Sequence, residues 1–321
     1  MATQPTRSLR NSSDRMCRFR PIQGGGFRAA VEVTRRCNLA CPYCFVPRDA
    51  DQPSLKTLQK VVRKLATAGC RKIILTGGEP LVRRDLERVV EAATSARIGV
   101  DLNSTLVDLD EPRADALAQT GLTEASVSFY GDAEIHDWFV GRPGSWAKTV
   151  RSCALLRERE VEIDVHCAVW ADNLRFVPFL HDLALQVGSG SLTLFNVIEP
   201  RVSPAKDPAA ARRLPGRSPR LPPPSLVELA HIVAALRDMN RIPLRTVGFW
   251  GDCQRECEQG RSIVGVTSAG TWLPCLLSRR TPRAPRESAV AAPADILDAL
   301  RLEVGMSYWE PNCAIAGQVN R

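Results

Sequence analysis

The 321-residue chain has no apolar run as long as a membrane span, and its first thirty residues lack the apolar core of a signal peptide. A transmembrane anchor and classical secretion are therefore not expected, and the reducing cytoplasm is the expected compartment. Histidine is scarce. His136, His166, His181 and His231 are the only four, and they form no metal-ligand spacing. No catalytic triad offers itself either. No aromatic residue is interleaved with Arg201, Lys206, Arg212, Arg213, Arg217 and Arg220, so the net charge of +8 does not read as a base-stacking surface. A basic arm over 7–20 and a basic loop over 201–220 hold much of that excess. Both read as solvated, and neither nucleic acid nor a membrane is an expected partner.

Cysteine, by contrast, is abundant, with eleven residues. In a small secreted chain these would suggest disulfides; here, thiolates near glycine turns read as metal ligands. Three stand in Cys37-Asn38-Leu39-Ala40-Cys41-Pro42-Tyr43-Cys44, directly after the alternating apolar run from Phe27 to Val33. Further on, Thr76-Gly77-Gly78-Glu79-Pro80 follows a second apolar run, Lys72 to Leu75. Three thiolates on one loop can ligate three irons of a 4Fe–4S cluster and leave the fourth iron open. Zinc prefers a closed tetrahedron of four ligands, which three cysteines with no nearby histidine do not complete. Two glycines let backbone approach a ligand closely, and one carboxylate answers an ammonium group.

This pair of motifs resembles the radical S-adenosylmethionine (SAM) enzymes. The resemblance implies that Cys37, Cys41 and Cys44 hold a 4Fe–4S cluster whose open iron chelates SAM. It further implies that Tyr43 packs near the adenine and that Gly77, Gly78 and Glu79 meet the methionyl amine. Weaker motifs extend the likeness. Asn103-Ser104 stands where the family often has Asn-Gly after strand three. Ser128-Phe129-Tyr130-Gly131 stands where a Ser-x-Asp-Gly ends strand four, with Ser128 directed at the SAM ribose or carboxylate and Tyr130 replacing the aspartate. Asn173, after strand five, would reach the adenosine. A turn or cap role is the competing account of each of these polar residues.

Residues 1–26 read as a flexible basic arm. From 27 to about 198 a strand–helix rhythm repeats six times, with strands near 27–34, 71–76, 98–103, 124–130, 161–169 and 191–198. Alternating strands and helices imply a parallel sheet with ligands at its C-terminal strand ends. The expected α/β fold is the partial (β/α)6 TIM-like barrel of the radical SAM family, open at one side. Residues 199–224, with Pro222-Pro223-Pro224, read as a linker or insertion. A helix over 225–240 then opens a last region, 225–321.

That region carries Cys253, Cys257, Cys275 and Cys313. The piece from Cys257 through Gly270 to Cys275 resembles the start of the twitch/SPASM auxiliary-cluster domain. The resemblance implies a β-hairpin, Ser262–Val266 and Thr271–Leu273, followed by a helix near 294–304. Four cysteines would complete an auxiliary 4Fe–4S cluster, although four thiolates suit zinc equally well. Cys70, Cys153 and Cys167 read as buried free thiols. Trp138, Trp170, Trp250, Tyr130 and Phe195 could line a cavity, with core packing the expectation for most. His166 lies on strand five with its direction undecided.

The activity implied by the resemblance is reductive cleavage of SAM to methionine and a 5′-deoxyadenosyl radical, which takes a hydrogen atom from a substrate. An electron donor such as flavodoxin or ferredoxin is the expected partner. Two substrate classes remain: a small metabolite (a sugar, aminocyclitol or nucleoside in antibiotic biosynthesis) or a ribosomally made peptide that is crosslinked or epimerised. About thirty residues precede the cysteine loop, few for a leader-binding domain, so the small substrate is the expectation.

Overall fold

The computed structural model describes residues 26–44, 46, 52–197, 221–247, 249 and 263–273. Its centre is one sheet of nine strands in the order β7-β6-β5-β4-β3-β2-β1-β8-β9. The strands are β1 (Phe27–Thr34), β2 (Cys70–Gly77), β3 (Gly99–Ser104), β4 (Glu124–Ser128), β5 (Glu162–Val169), β6 (Leu192–Asn196), β7 (Leu244–Val247), β8 (Ile263–Val266) and β9 (Trp272–Leu273). All neighbours run parallel except β8 and β9, which form an antiparallel hairpin. This is the expected TIM-like partial barrel, enlarged. The hairpin expected in a separate domain continues the barrel sheet instead, because β8 pairs with β1 from Arg28↔Ile263 to Val31↔Val266. Strand β7, too short and too mixed to stand out in the sequence, extends the other edge against β6. Cys253, Cys257, Cys275, Cys313 and the helix near 294–304 lie outside the described residues.

Helices α1 (Leu55–Thr67), α2 (Leu86–Ser95), α3 (Glu111–Gln119), α4 (Ala133–Val140), α5 (Ser145–Arg157), α6 (Val177–Gln186) and α7 (Leu226–Asp238) alternate with the strands. The α1 helix shows why they form. Ser54 caps it by accepting from the Thr57 N–H, and Leu58, Val61, Val62 and Leu65 fall on one buried stripe. They pack against the outer face of the sheet, where Val31, Ile73, Leu75, Leu102, Val127 and Val165 join the same core. Helix α4 is the element the sequence hides. It is eight residues long, and Ile135, His136, Trp138, Phe139 and Val140 are all buried, so no polar face produces a helical stripe. Its ends are well marked: Asp132 accepts from the Ile135 N–H, and Gly141 closes it in the left-handed region at φ 69°. No helix among the described residues is long and apolar enough to cross a membrane.

Candidate active site

Strand β1 ends at Thr34 and hands the chain to the cysteine loop at the C-terminal edge of the sheet. Cys37 is exposed, and Cys41 and Cys44 are half-buried. The other described cysteines differ in kind. Cys70, Cys153 and Cys167 are buried. Burial pushes the Cys70 and Cys153 thiols up to about 12 and raises Cys167 as well, so they stay protonated core residues. Among the described residues no three His, Cys, Asp or Glu side chains converge closely enough to hold a single metal ion. Three at least partly exposed thiols on one loop are the donor type and number that a 4Fe–4S cluster with one open iron takes.

Gly77 and Gly78 are demanded by the chain's own backbone. A Cβ on Gly77, whose φ is 137°, would lie 2.1 Å from the Thr34 carbonyl oxygen; one on Gly78 would lie 2.1 Å from that of Arg36. The approach carries two hydrogen bonds, from the Gly78 N–H to Thr34 O (2.8 Å) and from the Glu79 N–H to Arg36 O (3.0 Å). The two sequence motifs are thus one backbone unit. The Glu79 carboxylate is buried beneath it. One oxygen accepts from the Leu81 N–H (3.1 Å) and Ser104 Oγ (2.6 Å), the other from the Thr105 N–H (3.0 Å) and Thr105 Oγ1 (2.8 Å). A carboxylate offers about four lone-pair sites, so protein donors alone can fill them. In this structure Glu79 ties the end of β2 to the end of β3.

The inner face of the sheet is polar. Alternation puts Arg28, Ala30, Glu32 and Thr34 of β1 opposite the apolar outer set, and cross-strand register extends the inner row through Asp101, Asn103, Ser126, Ser128, Asp164, His166 and Arg245. Asn103, Ser128, His166 and Phe195 are half-buried. Ser128 pairs with His166, whose ring meets Phe195 edge-on at 5.1 Å between centroids. Register decides the direction that sequence left open: His166 faces inward. Burial, then the nearby Arg245 charge, pulls its imidazole down to about 4, so it is neutral at physiological pH. Below this rim, Asp101 accepts from the Ser126 N–H (3.0 Å) and Oγ (2.9 Å). Burial and then the Glu124 charge push its carboxyl up to about 7. Glu124 in turn is bound by Lys72.

Asn173 sits apart from this face. Its amide nitrogen donates to Tyr130 O and Ala168 O (both 3.0 Å), and its oxygen accepts from the Trp170 N–H (2.8 Å). It locks the β5 end to the β4 end. The Tyr43 and Tyr130 hydroxyls are 2.8 Å apart, and burial raises both phenols far above their usual range. Tyr130, Phe139, Trp138 and Trp170 form a buried aromatic cluster with Leu39 of the cysteine loop. The tryptophans and Tyr130 are therefore core, whereas Phe195 lines the inner face. Trp250 lies outside the described residues.

Residues 31–169 match the Radical SAM superfamily. The chain is 33% identical over 172 residues to the PqqA peptide cyclase of Rhodopseudomonas palustris, covering 52% of this chain and 46% of that protein. It is 28% identical over 174 residues to the AdoMet-dependent heme synthase of Oleidesulfovibrio alaskensis, covering 53% and 45%. The chain thus spans about half the length of these curated relatives. The fold is shared with Streptococcus suis SuiB, solved also with its precursor peptide SuiA: the TM-score is 0.65 at 13% identity, over 92% of this chain and 68% of SuiB.

Proposed function

Because residues 31–169 match the Radical SAM superfamily, we propose that the chain cleaves SAM reductively and modifies a ribosomally made peptide. The sequence alone favoured a small metabolite. The resemblance over 172 residues to a protein named as a peptide cyclase supports the peptide instead, and is the observation that carries this reading. The SuiB fold, known with a precursor peptide, is in keeping with it.

In this reading Cys37, Cys41 and Cys44 hold the 4Fe–4S cluster, and the chemistry such a cluster supplies when bound is one-electron cleavage of SAM to a 5′-deoxyadenosyl radical. Gly77 and Gly78 keep the cysteine loop in register with the β2 end. Glu79 contributes through the same unit, by fixing the β2 and β3 ends between which SAM would lie. Asn103 and Ser128, half-buried on the inner face, offer hydrogen bonds to SAM, and Tyr43 and Asn173 shape the wall behind the adenosine. His166 and Phe195 present a neutral donor–acceptor and an apolar edge to the substrate. No charged side chain is needed to activate a carbon–hydrogen bond that a radical attacks. Cys253, Cys257, Cys275 and Cys313 would hold the auxiliary 4Fe–4S cluster, and a flavodoxin or ferredoxin would supply electrons.

The test uses the full chain, reconstituted anaerobically with iron and sulfide, then given SAM and dithionite. Methionine and 5′-deoxyadenosine are expected from the wild type and not from a Cys37/Cys41/Cys44→Ala variant. Peptide-sized and small-molecule fractions of an extract of the native host are then added separately. Greater 5′-deoxyadenosine yield with the peptide fraction, together with a mass change in one peptide, is the expected result. Stimulation by the small-molecule fraction alone would restore the metabolite reading.

A further inference from the structure

The middle of the cysteine loop is Asn38-Leu39-Ala40, and each of these residues is fixed from outside the loop by a different kind of contact. The Ala40 N–H donates to the carbonyl of Val140, the last residue of α4, at 2.7 Å. Leu39 is buried in the aromatic cluster that α4 supplies with Trp138 and Phe139. The Asn38 amide donates to Asp108, which Arg142, two residues past the end of α4, grips with both terminal guanidinium nitrogens at 2.7 Å. The turn joining α4 to Arg142 is Gly141, and a Cβ there would stand 2.9 Å from the Ala40 Cβ. The Tyr43 ring adds a fourth contact, 5.3 Å from that of Phe139. None of these partners carries a ligand atom. All but the Tyr43 contact converge on the three residues between Cys37 and Cys41, whose backbone sets the directions of the two thiols, and the Tyr43 contact holds the residue before Cys44.

We propose that α4 and the turn behind it are a brace for the cluster-binding loop, with Asp108, Gly141 and Arg142 as positioning residues. This rests on the reading of Cys37, Cys41 and Cys44 as cluster ligands. A loop of eight residues with three ligands has many conformations that do not present three thiols to one cubane, and ordering it beforehand removes that cost from binding. The bidentate Arg142–Asp108 pair has the planar geometry that restricts direction as well as distance. A brace of this kind predicts changes in how fast iron leaves, with the fold intact.

The experiment uses the full chain reconstituted with iron and sulfide, without SAM. It follows iron transfer to a ferrous chelator and the low-temperature EPR spectrum of the dithionite-reduced protein, counting only signal absent from a Cys37/Cys41/Cys44→Ala variant. Asp108→Ala and Arg142→Ala are expected to speed iron loss about tenfold each, with the double variant no faster than either single one, since both break one clamp. Their spectra should be broadened alike, with the melting temperature of the iron-free chain unchanged. Arg142→Lys, which keeps the charge and loses the fork, should release iron as fast as Arg142→Ala. Gly141→Val probes the same contact sterically, and Ala40→Gly in combination should recover part of its loss. Wild-type rates and spectra in Asp108→Ala and Arg142→Ala would overturn the brace while leaving the cluster reading intact. A wild type with no iron signal dependent on the three cysteines would defeat both.

Discussion

The two faces of the central sheet obey different rules. On the outer face Val31, Ile73, Leu75, Leu102, Val127 and Val165 meet the helices and are closed to water. On the inner face, one residue along each strand, stand Glu32, Asp101, Asn103, Ser126, Ser128, Asp164 and His166, several of them half-open. The same strands therefore supply both an apolar core and a polar inner face, divided only by the alternation of side chains. The proposed function puts stability on one side and chemistry on the other, and substitutions can test that division directly.

The largest effect is expected from the outer face. Leu102→Ala, at a fully buried site, should cost about 2–5 kcal/mol of stability in chemical denaturation, with SAM cleavage per folded molecule preserved. If cleavage collapsed while stability held, the division would be wrong.

Asp101→Asn breaks the comparison from the inside. Burial raises the carboxyl to a pKa of about 7 in the folded protein against its ordinary value of 3.8, so the folded state holds its proton more tightly than the unfolded chain. Stability therefore falls as pH rises from about 4 to about 7 and is flat beyond. Asparagine removes the titration, and should stabilise the protein at pH 8 by as much as about 4 kcal/mol relative to pH 4. Parallel pH curves for wild type and variant would show that Asp101 is not held protonated.

His166 sets the smaller, functional effect. His166→Leu should change stability at neutral pH by no more than about 1 kcal/mol and lower product formation about tenfold, equivalent to ~1.4 kcal/mol of lost contact. SAM cleavage without substrate should persist, which separates a substrate contact from a cofactor contact. Burial also lowers the folded imidazole to about 4, below its ordinary value of 6.5. Acidification from about 6.5 to about 4 should therefore destabilise the wild type, and this limb should shrink in the variant.

Much of the barrel was legible because its signals are local. The alternation of Phe27–Val33, the stripe of Leu58, Val61, Val62 and Leu65 under its Ser54 cap, and the glycine-bounded motifs each speak for their own few residues. Four features were not legible. Helix α4 is short, and five of its last six residues are buried, so its hydrophobic pattern has no period. His166 needed the neighbours of β5 before its direction could be assigned. The glycines of the Gly77-Gly78 pair announce close approach, but only the fold reveals that the approaching group is the backbone of Thr34 and Arg36. Asn173 likewise reads as a polar residue free to meet a ligand, whereas three backbone groups engage it.

The seating of β8 beside β1 bears on the order in which the chain can fold. Strand β1 acquires its β2 partner some forty residues later in the chain, at Cys70–Gly77, but its other edge waits for Ile263–Val266. The Glu32 carboxylate, which accepts from the Ser268 N–H at 3.1 Å, waits equally long. During synthesis β1 therefore leaves the ribosome well before β8 is available to pair with it. An unpaired strand edge invites pairing with other chains. The pairing that completes the sheet next to the cysteine loop is thus among the last to form, and a nascent chain stalled before Ile263 is expected to depend on chaperones for its solubility.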